Sequence, residues 1–302
     1  MISKAVIEAL KNYVPEHNIH LQEPMAGHTT FRIGGPADCL LELENEEQLK
    51  NVQKYLTLVE ERFFILGNGS NLLVSDHGYH GVILQIGKNM SQIRVEGRCI
   101  IAQAGALLSQ VAKTALQYGL SGLEFASGIP GTVGGGVVMN AGAYDGELSQ
   151  VVKQVRVVSR QGEFLEFNNS TMEFGYRTSA LRKNTFTVTE VTFELAEGQR
   201  DQIQAKMEEL AERRRAKQPL EYPSAGSTFK RPAGYYAGKL IMDAGMRGYQ
   251  TGGARVSDKH CGFIVNVGNA SAHDVLDVIC EVQERVKLRF GVNLETEVIY
   301  LE

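Results

Sequence analysis

The 302-residue chain is long enough for two domains, each with a core of its own, and its 43% hydrophobic and 22% charged residues are ordinary for a globular protein. No apolar run approaches a membrane span, and Met1–His20 alternates charged with apolar residues unlike a signal peptide, so a cytoplasmic protein is expected, with no membrane partner. A net charge of −4 argues against nucleic acid as a partner, and Cys39, Cys99, Cys261 and Cys280 lack the spacing of a disulfide framework or a zinc site.

In chain order, Ser3–Val14 reads as a helix with Val6, Ile7, Leu10 and Val14 on one face and Pro15 closing it. His28–Asp38 (HTTFRIGGPAD) reads as a strand entering a tight turn, where the hydroxyls of Thr29 and Thr30 either donate to a ligand or satisfy the turn. Cys39–Leu43, a helix over Glu46–Val59 and a strand at Phe63–Leu66 form a βαβ-like unit. Its last strand runs into Gly67-Asn68-Gly69-Ser70-Asn71. This loop lacks the third glycine of a dinucleotide fingerprint and continues as a strand, Leu72–Ser75, which disfavours a Rossmann fold. Strands follow at Val82–Ile86, Ile93–Val95 and Cys99–Ala104, then a helix over Leu107–Tyr118 ended by Gly119.

The central stretch is Gly122–Glu147 (GLEFASGIPGTVGGGVVMNAGAYDGE), where eight of the chain's 32 glycines fall. Glycine reaches positive φ and lets a ligand approach main-chain N–H groups. No Lys or Arg occurs between Lys113 and Lys153, or between Arg62 and Lys88. A phosphate on either glycine loop would therefore rest on oriented N–H dipoles, with the start of a short helix at Val133–Asn140 as a further donor. Two such cradles suit a pyrophosphate gripped from two sides. The alternative is a connector that only turns the chain.

Beyond it, Val151–Ser159 and Glu163–Phe167 form a hairpin about Arg160-Gln161-Gly162, and Thr185–Leu195 is a strand. A charged helix covers Gln199–Lys217, Leu220–Pro232 breaks it, and helices at Tyr236–Ala244 and Ser271–Phe290 precede a closing strand, Glu295–Leu301. Between Arg200 and Lys259 there are 12 Lys and Arg against 7 Asp and Glu, a basic segment that suits an anionic small molecule. The HxxH pairs His17/His20 and His77/His80 lack a third ligand, so no metal site is expected.

The motifs TTFRIGGPA (Thr29–Ala37), GNGSN (Gly67–Asn71), GIPGTVGGGVVMNAGAY (Gly128–Tyr144), Tyr176-Arg177, SAGSTFKRP (Ser224–Pro232), HCGFIVN (His260–Asn266) and LETEV (Leu294–Val298) occur in this order over almost the whole chain. Together they resemble the UDP-N-acetylenolpyruvoylglucosamine reductase (MurB) family of flavoenzymes. The resemblance implies a mixed α/β and α+β architecture: a two-lobed FAD-binding fold of the PCMH type, then a C-terminal α/β substrate-binding domain. The expected FAD-binding region is 1–196, its lobes parting near 75–80, and the substrate domain 197–302. It further implies non-covalent FAD, NADPH as co-substrate, and reduction of UDP-N-acetylglucosamine enolpyruvate to UDP-N-acetylmuramate. The short spacing from Arg177 to Ser227 resembles the compact form of the family, without the extra loop that carries a substrate-binding tyrosine.

Carried onto this sequence, the resemblance implies Arg177, Ser227 and Glu297 as catalytic residues. Arg177 would stabilise negative charge, Ser227 would donate a proton, and Glu297 would polarise the reacting enol or orient donors. For FAD it implies Gly67, Asn68, Gly69, Ser70, Asn71, Gly128, Ile129, Gly131, Thr132, Gly135 and Gly142. For the substrate's diphosphate Arg214 and Arg231 are favoured, with Lys217 next, and Lys230 is a further contact; which of Arg213, Arg214 and Arg215 faces the ligand is left open by a helical spacing. The competing readings are another FAD-dependent oxidase or dehydrogenase of the same fold, and a non-catalytic nucleotide-binding module.

Overall fold

Residues 2–183 and 186–302 are described by the structure, a computed structural model. They divide into two compact units: Met1–Leu21, Cys39–Asn68 and Gly81–Arg214 in the first, and Gln22–Asp38, Gly69–His80 and Arg215–Glu302 in the second. The chain passes between them inside three strands, within the Gly67–Asn71 loop, and at Arg214–Arg215, inside a helix that the sequence reading assigns whole to a second domain.

In the first unit, helix α1 (Lys4–Leu10) precedes the greater part of a four-stranded sheet of order β1 (Ile19–Pro24), β2 (Pro36–Glu42), β5 (Tyr79–Gln85) and β3 (Phe63–Leu66); Gln22–Pro24, Pro36–Asp38 and Tyr79–His80 of these strands fall in the second unit. Helix α2 (Glu46–Leu58) links β2 to β3; Asn45 caps it by accepting the Gln48 N–H at 2.9 Å, and Leu49, Val52 and Leu56 form its buried face. A five-stranded antiparallel sheet follows: β12 (Phe164–Asn168), β11 (Val152–Ser159), β13 (Phe186–Glu194), β7 (Cys99–Gln103) and β6 (Ile93–Glu96). Thr185, the expected start of β13, lies outside the described residues. Helix α3 (Leu108–Gln117) buries Leu108, Val111, Ala112 and Ala115 and stops at Gly119, whose φ is +66°. Two short pairs also lie in this unit, β8 (Leu120–Ser121) with β14 (Ala196–Glu197), and β9 (Gly142–Ala143) with β10 (Gly146–Glu147). Helix α4 (Val133–Val138) lies in the glycine-rich stretch, and the polar α5 (Arg200–Lys217) buries only Ile203 and Leu210.

In the second unit, β4 (Leu72–Val74) pairs in parallel with the last strand, β18 (Ile299–Leu301). Strands β15 (Gln250–Thr251), β16 (Ala254–Val256) and β17 (Ile264–Asn266) form a small antiparallel sheet, which the sequence reading did not anticipate because no segment is longer than three residues. Helices α6 (Ala237–Asp243) and α7 (Ala272–Phe290) share a core with Phe31, Ile33, Leu73 and Phe229. The N–H groups of Ala272 and His273 donate to the Asp76 carboxylate at 2.7 and 3.0 Å, so the loop after β4 is tied to the start of α7.

Three expectations change. Helix α1 ends at Leu10, because Asn12 and Tyr13 already donate to the third residue back and Val14, before Pro15, is disfavoured in the helical region. Thr29 and Thr30 form a turn instead of a strand; Arg32 has φ +56° and Gly34 φ +140°, which no strand accommodates. The closing strand is only Ile299–Leu301, with an isolated bridge from Thr296 to Phe229 before it.

Ser271 and Asp274 form a capping box at the start of α7, and Asp274 also accepts the Gly253 N–H at 3.1 Å. The Ser271 N–H, with Gly253 behind it, holds the Asp274 carboxyl below its ordinary value of 3.8. Asp274→Ala is expected to cost about 1 kcal/mol, read from urea midpoints. A depressed folded pKa makes this contribution complete above the unfolded value and lost as pH falls through the folded one. The gap between wild type and variant should therefore be full at neutral pH and close in acid.

Candidate functional site

The two glycine loops meet within the first unit. A Cβ on Gly67 would stand 2.4 Å from Thr132 Oγ1, a clash that only glycine avoids. Asn68 Nδ2 donates to the Pro130 carbonyl at 2.6 Å. Among the described residues the main-chain N–H groups of Gly67, Asn68, Gly131 and Thr132 make no hydrogen bond within the protein, although Thr132 is buried. Buried N–H groups are normally paired, so this concentration of spare donors suits an anion. The Ile129 N–H, in contrast, is used by the Ala126 carbonyl at 3.0 Å.

The start of α4 does not serve as the expected further donor. Val133 and Gly134 donate to the carbonyls of Ala106 and Ala104 at 2.8 and 2.9 Å, Gly135 donates to Thr132 Oγ1 at 3.4 Å, and Gly136 to the Thr132 carbonyl at 2.8 Å. The triple glycine has a packing reason instead. A Cβ on Gly134 would lie 3.0 Å from Ala104 Cβ, and one on Gly136 2.8 Å from Leu108 Cδ1, whereas Gly135 meets nothing nearer than Thr132 Oγ1 at 3.5 Å. Gly142 begins the β9–β10 hairpin, whose two loop residues, Tyr144 and Asp145, have φ +52° and +67°.

A cation reaches this loop from another element. Arg214, on α5, lies over Gly128, with Nη1 2.9 Å and Cδ 3.1 Å from where a Cβ would stand. Burial pushes its guanidinium below the ordinary arginine value, and the nearby Tyr144 phenol opposes that. Among the described residues the Arg214 side chain makes neither a hydrogen bond nor an ion pair; its neighbours on the helix, Arg213 and Arg215, are exposed, and Arg213 pairs with Glu209 at 2.8 Å. A half-buried cation without a counter-ion is unfavourable until an anion joins it. Of the three arginines, Arg214 is thus the one turned towards the glycine-rich loop.

Arg177 stands at the tip of a tight turn in the first unit. Gly175 and Thr178 exchange N–H···O bonds of 3.1 and 3.2 Å around Tyr176 and Arg177, and Arg177 has φ +55°. Its guanidinium carbon is 5.5 Å from the centre of the Tyr176 ring. A non-glycine residue held in the left-handed region marks stored strain of the kind that collects at functional sites.

The remaining residues belong to the second unit. The chain from Thr228 to Lys230 lies alongside Glu295–Glu297: Lys230 N–H donates to the Glu295 carbonyl and Glu297 N–H to the Thr228 carbonyl, both at 2.8 Å. Ser227 and Glu297 are therefore carried on paired segments, both half-buried. Asn71 Nδ2 donates to the Glu297 carbonyl at 3.1 Å, while Ser70 is half-buried and Gly69 has φ +57° against the His28 carbonyl. Lys230 is ion-paired with Glu295 at 3.0 Å. Arg231 stacks on Tyr236 at 4.0 Å and donates Nε to the Tyr235 carbonyl at 3.3 Å. Lys217 is exposed; its charge, behind the larger effect of burial, lowers the pKa of His260, whose Nδ1 accepts the Gly262 N–H at 3.1 Å. The Thr29 hydroxyl donates to the Ile33 carbonyl at 3.1 Å and satisfies the turn, while the Thr30 hydroxyl donates to the distant Ser224 carbonyl at 2.7 Å and ties the turn to that segment. Among the described residues no group of three His, Cys, Asp or Glu is placed to hold a metal, and no helix is long and apolar enough to cross a membrane.

Two family patterns match the chain: an FAD binding domain over residues 37–168, and the C-terminal domain of UDP-N-acetylenolpyruvoylglucosamine reductase over residues 218–301. The UDP-N-acetylenolpyruvoylglucosamine reductase of Clostridium perfringens (strain SM101 / Type A) is 50% identical over 289 residues, 96% of this chain and 95% of the relative. The crystal structure of UDP-N-acetylenolpyruvylglucosamine reductase (MurB) from Thermus caldophilus superposes with a TM-score of 0.81 at 36% identity, over 94% of this chain and 98% of that one. The glucose dehydrogenase Phl p 4.0202 shares the fold alone, with a TM-score of 0.51 at 12% identity over 65% of this chain and 45% of that one.

Proposed function

The chain belongs to the UDP-N-acetylenolpyruvoylglucosamine reductase family, and from that premise we propose how its residues divide the reaction. The protein is an FAD-containing oxidoreductase that reduces UDP-N-acetylglucosamine enolpyruvate with NADPH, giving UDP-N-acetylmuramate for peptidoglycan synthesis. The chemistry FAD supplies when bound is the relay of one hydride from NADPH to the terminal carbon of the enolpyruvyl group.

The observation that carries the site reading is the junction of the two glycine loops. Gly67, Asn68, Gly131 and Thr132 would hold the cofactor's diphosphate through their unspent N–H groups, and Arg214 would supply the cation that the loops themselves lack. The position of Arg214 over Gly128 favours this anion over the substrate's diphosphate, which the sequence reading assigned to it. Of the four cations expected to contact the substrate, Lys217, Lys230 and Arg231, all in the second unit, remain for it. The Glu295 carboxylate already partners Lys230, whereas Lys217 is exposed, which makes Lys217 a stronger candidate than Lys230.

Hydride arrival at the terminal carbon leaves negative charge on the neighbouring carbon and its carboxylate. Arg177, permanently cationic and able to present two N–H donors, stabilises that charge. Ser227 delivers its hydroxyl proton to the carbon, and Glu297 orients the donors around it. Anaerobic stopped-flow absorbance tests the whole reading. NADPH should bleach a flavin band, and UDP-N-acetylglucosamine enolpyruvate should restore it. Bleaching without return would discard the substrate and favour the oxidase reading; no band even after added FAD would leave a binding module.

A further inference from the structure

The turn carrying Arg177 hangs on a side chain that has no part in the reaction above. Asn140 is 1% exposed and has φ +43°, in the left-handed region. Its carboxamide is used at both ends. Nδ2 donates to the Gly175 carbonyl at 3.0 Å, and Oδ1 accepts the Ser149 N–H at 2.9 Å. Gly175 is the first residue of the Arg177 turn. A second tether lies just past the turn, where Ser179 Oγ donates to the Val138 carbonyl at 2.9 Å. The turn is thereby fastened on both sides to the end of α4, the helix that Thr132 caps at its start.

We propose that Asn140 is a positioning residue for Arg177, an inference that rests on the reading of Arg177 as the group that meets the substrate's negative charge. The left-handed backbone at Arg177 is unfavourable for a long side chain, and it persists only where surrounding bonds determine it. The Asn140 bond to Gly175 is one of those bonds, and asparagine is suited to it twice. It tolerates the left-handed region better than most residues, and it places a donor and an acceptor on one short, buried side chain. A guanidinium on a loose turn would sweep several positions, and a displacement of about 1 Å at a charge-stabilising group costs roughly 100-fold in rate.

The test uses the FAD holoenzyme, with the two half-reactions measured separately under anaerobic conditions for wild type, Asn140→Gly, Arg177→Ala and the double variant. Glycine tolerates the left-handed backbone conformation and removes the side chain with its carboxamide. Asn140→Gly is expected to leave flavin reduction by NADPH unchanged and to slow reoxidation by the enolpyruvyl substrate about 10–100-fold. In the Arg177→Ala background it should slow reoxidation by no more than about twofold, because the two residues act as a unit. Equal slowing in both backgrounds, or a loss that follows flavin release in absorbance and thermal melting, would overturn the inference. If Arg177→Ala itself leaves reoxidation intact, the reading of Arg177 falls first. If Arg177→Ala slows it and Asn140→Gly does not, only the positioning role falls. Should Asn140→Gly fail to fold, Ser179→Ala removes the other tether and reads the same cycle.

Discussion

Ser227→Ala is expected to slow reoxidation of the reduced flavin by UDP-N-acetylglucosamine enolpyruvate about 10²–10⁴-fold, while NADPH reduces the flavin at nearly the wild-type rate. The split follows from where a proton is needed. Hydride transfer into the flavin requires no proton from Ser227, whereas hydride transfer out leaves a carbanion that must be protonated. The serine sits in a rigid setting. Gly226 before it has φ +80°, and Thr228 after it is fixed by its N–H to the Gly262 carbonyl at 2.8 Å and by its hydroxyl, which accepts the Ile264 N–H at 3.1 Å. Replacing the hydroxyl with hydrogen therefore removes a proton source without loosening the turn. Stopped-flow traces of the two half-reactions decide it: equal losses in both would refute the proton-donor role.

The second large effect is expected for Gly67→Ala. The new Cβ would stand 2.4 Å from Thr132 Oγ1, and Thr132 is 4% exposed with its Oγ1 accepting the Gly135 N–H. The hydroxyl cannot turn away without uncapping α4, so the two loops must part. Each hydrogen bond to a charged phosphate contributes about 1.5–3 kcal/mol, and losing one should weaken FAD binding about 10–100-fold. Titration of apoprotein with FAD, followed by flavin fluorescence, measures it. Gly27→Ala is the control, since a Cβ there meets nothing within 4 Å. Wild-type affinity in Gly67→Ala would mean that the junction of the loops is not what holds the flavin phosphate.

Much of the fold was legible because local signals agree with it. The spans of α2 and α7, the Gly119 stop of α3 and the hairpin about Gly162 fall within a residue or two of their expected places. Short strands such as β15–β17 were not legible, since two or three residues carry no periodicity. Nor could the sequence separate glycines by purpose. Gly134 and Gly136 admit Ala104 and Leu108, Gly67 admits Thr132, and Gly135 is crowded by neither; all look alike in a glycine-rich run. Asn140 lies inside the GIPGTVGGGVVMNAGAY motif, yet nothing local distinguishes an asparagine that fastens Gly175, thirty-five residues on, from one that ends a helix.

The sequence by itself determined the two glycine-rich loops without nearby cations and the ordered motifs of the family. The tertiary structure alone decided that the cradles touch, that Arg214 among three arginines lies over Gly128, and that the start of α4 is already spent on Ala104 and Ala106. The physical reason is one of range. Turn chemistry and periodicity act over a few residues and are written locally, whereas the partner of a buried charge or N–H group is set by whichever distant segment packs against it.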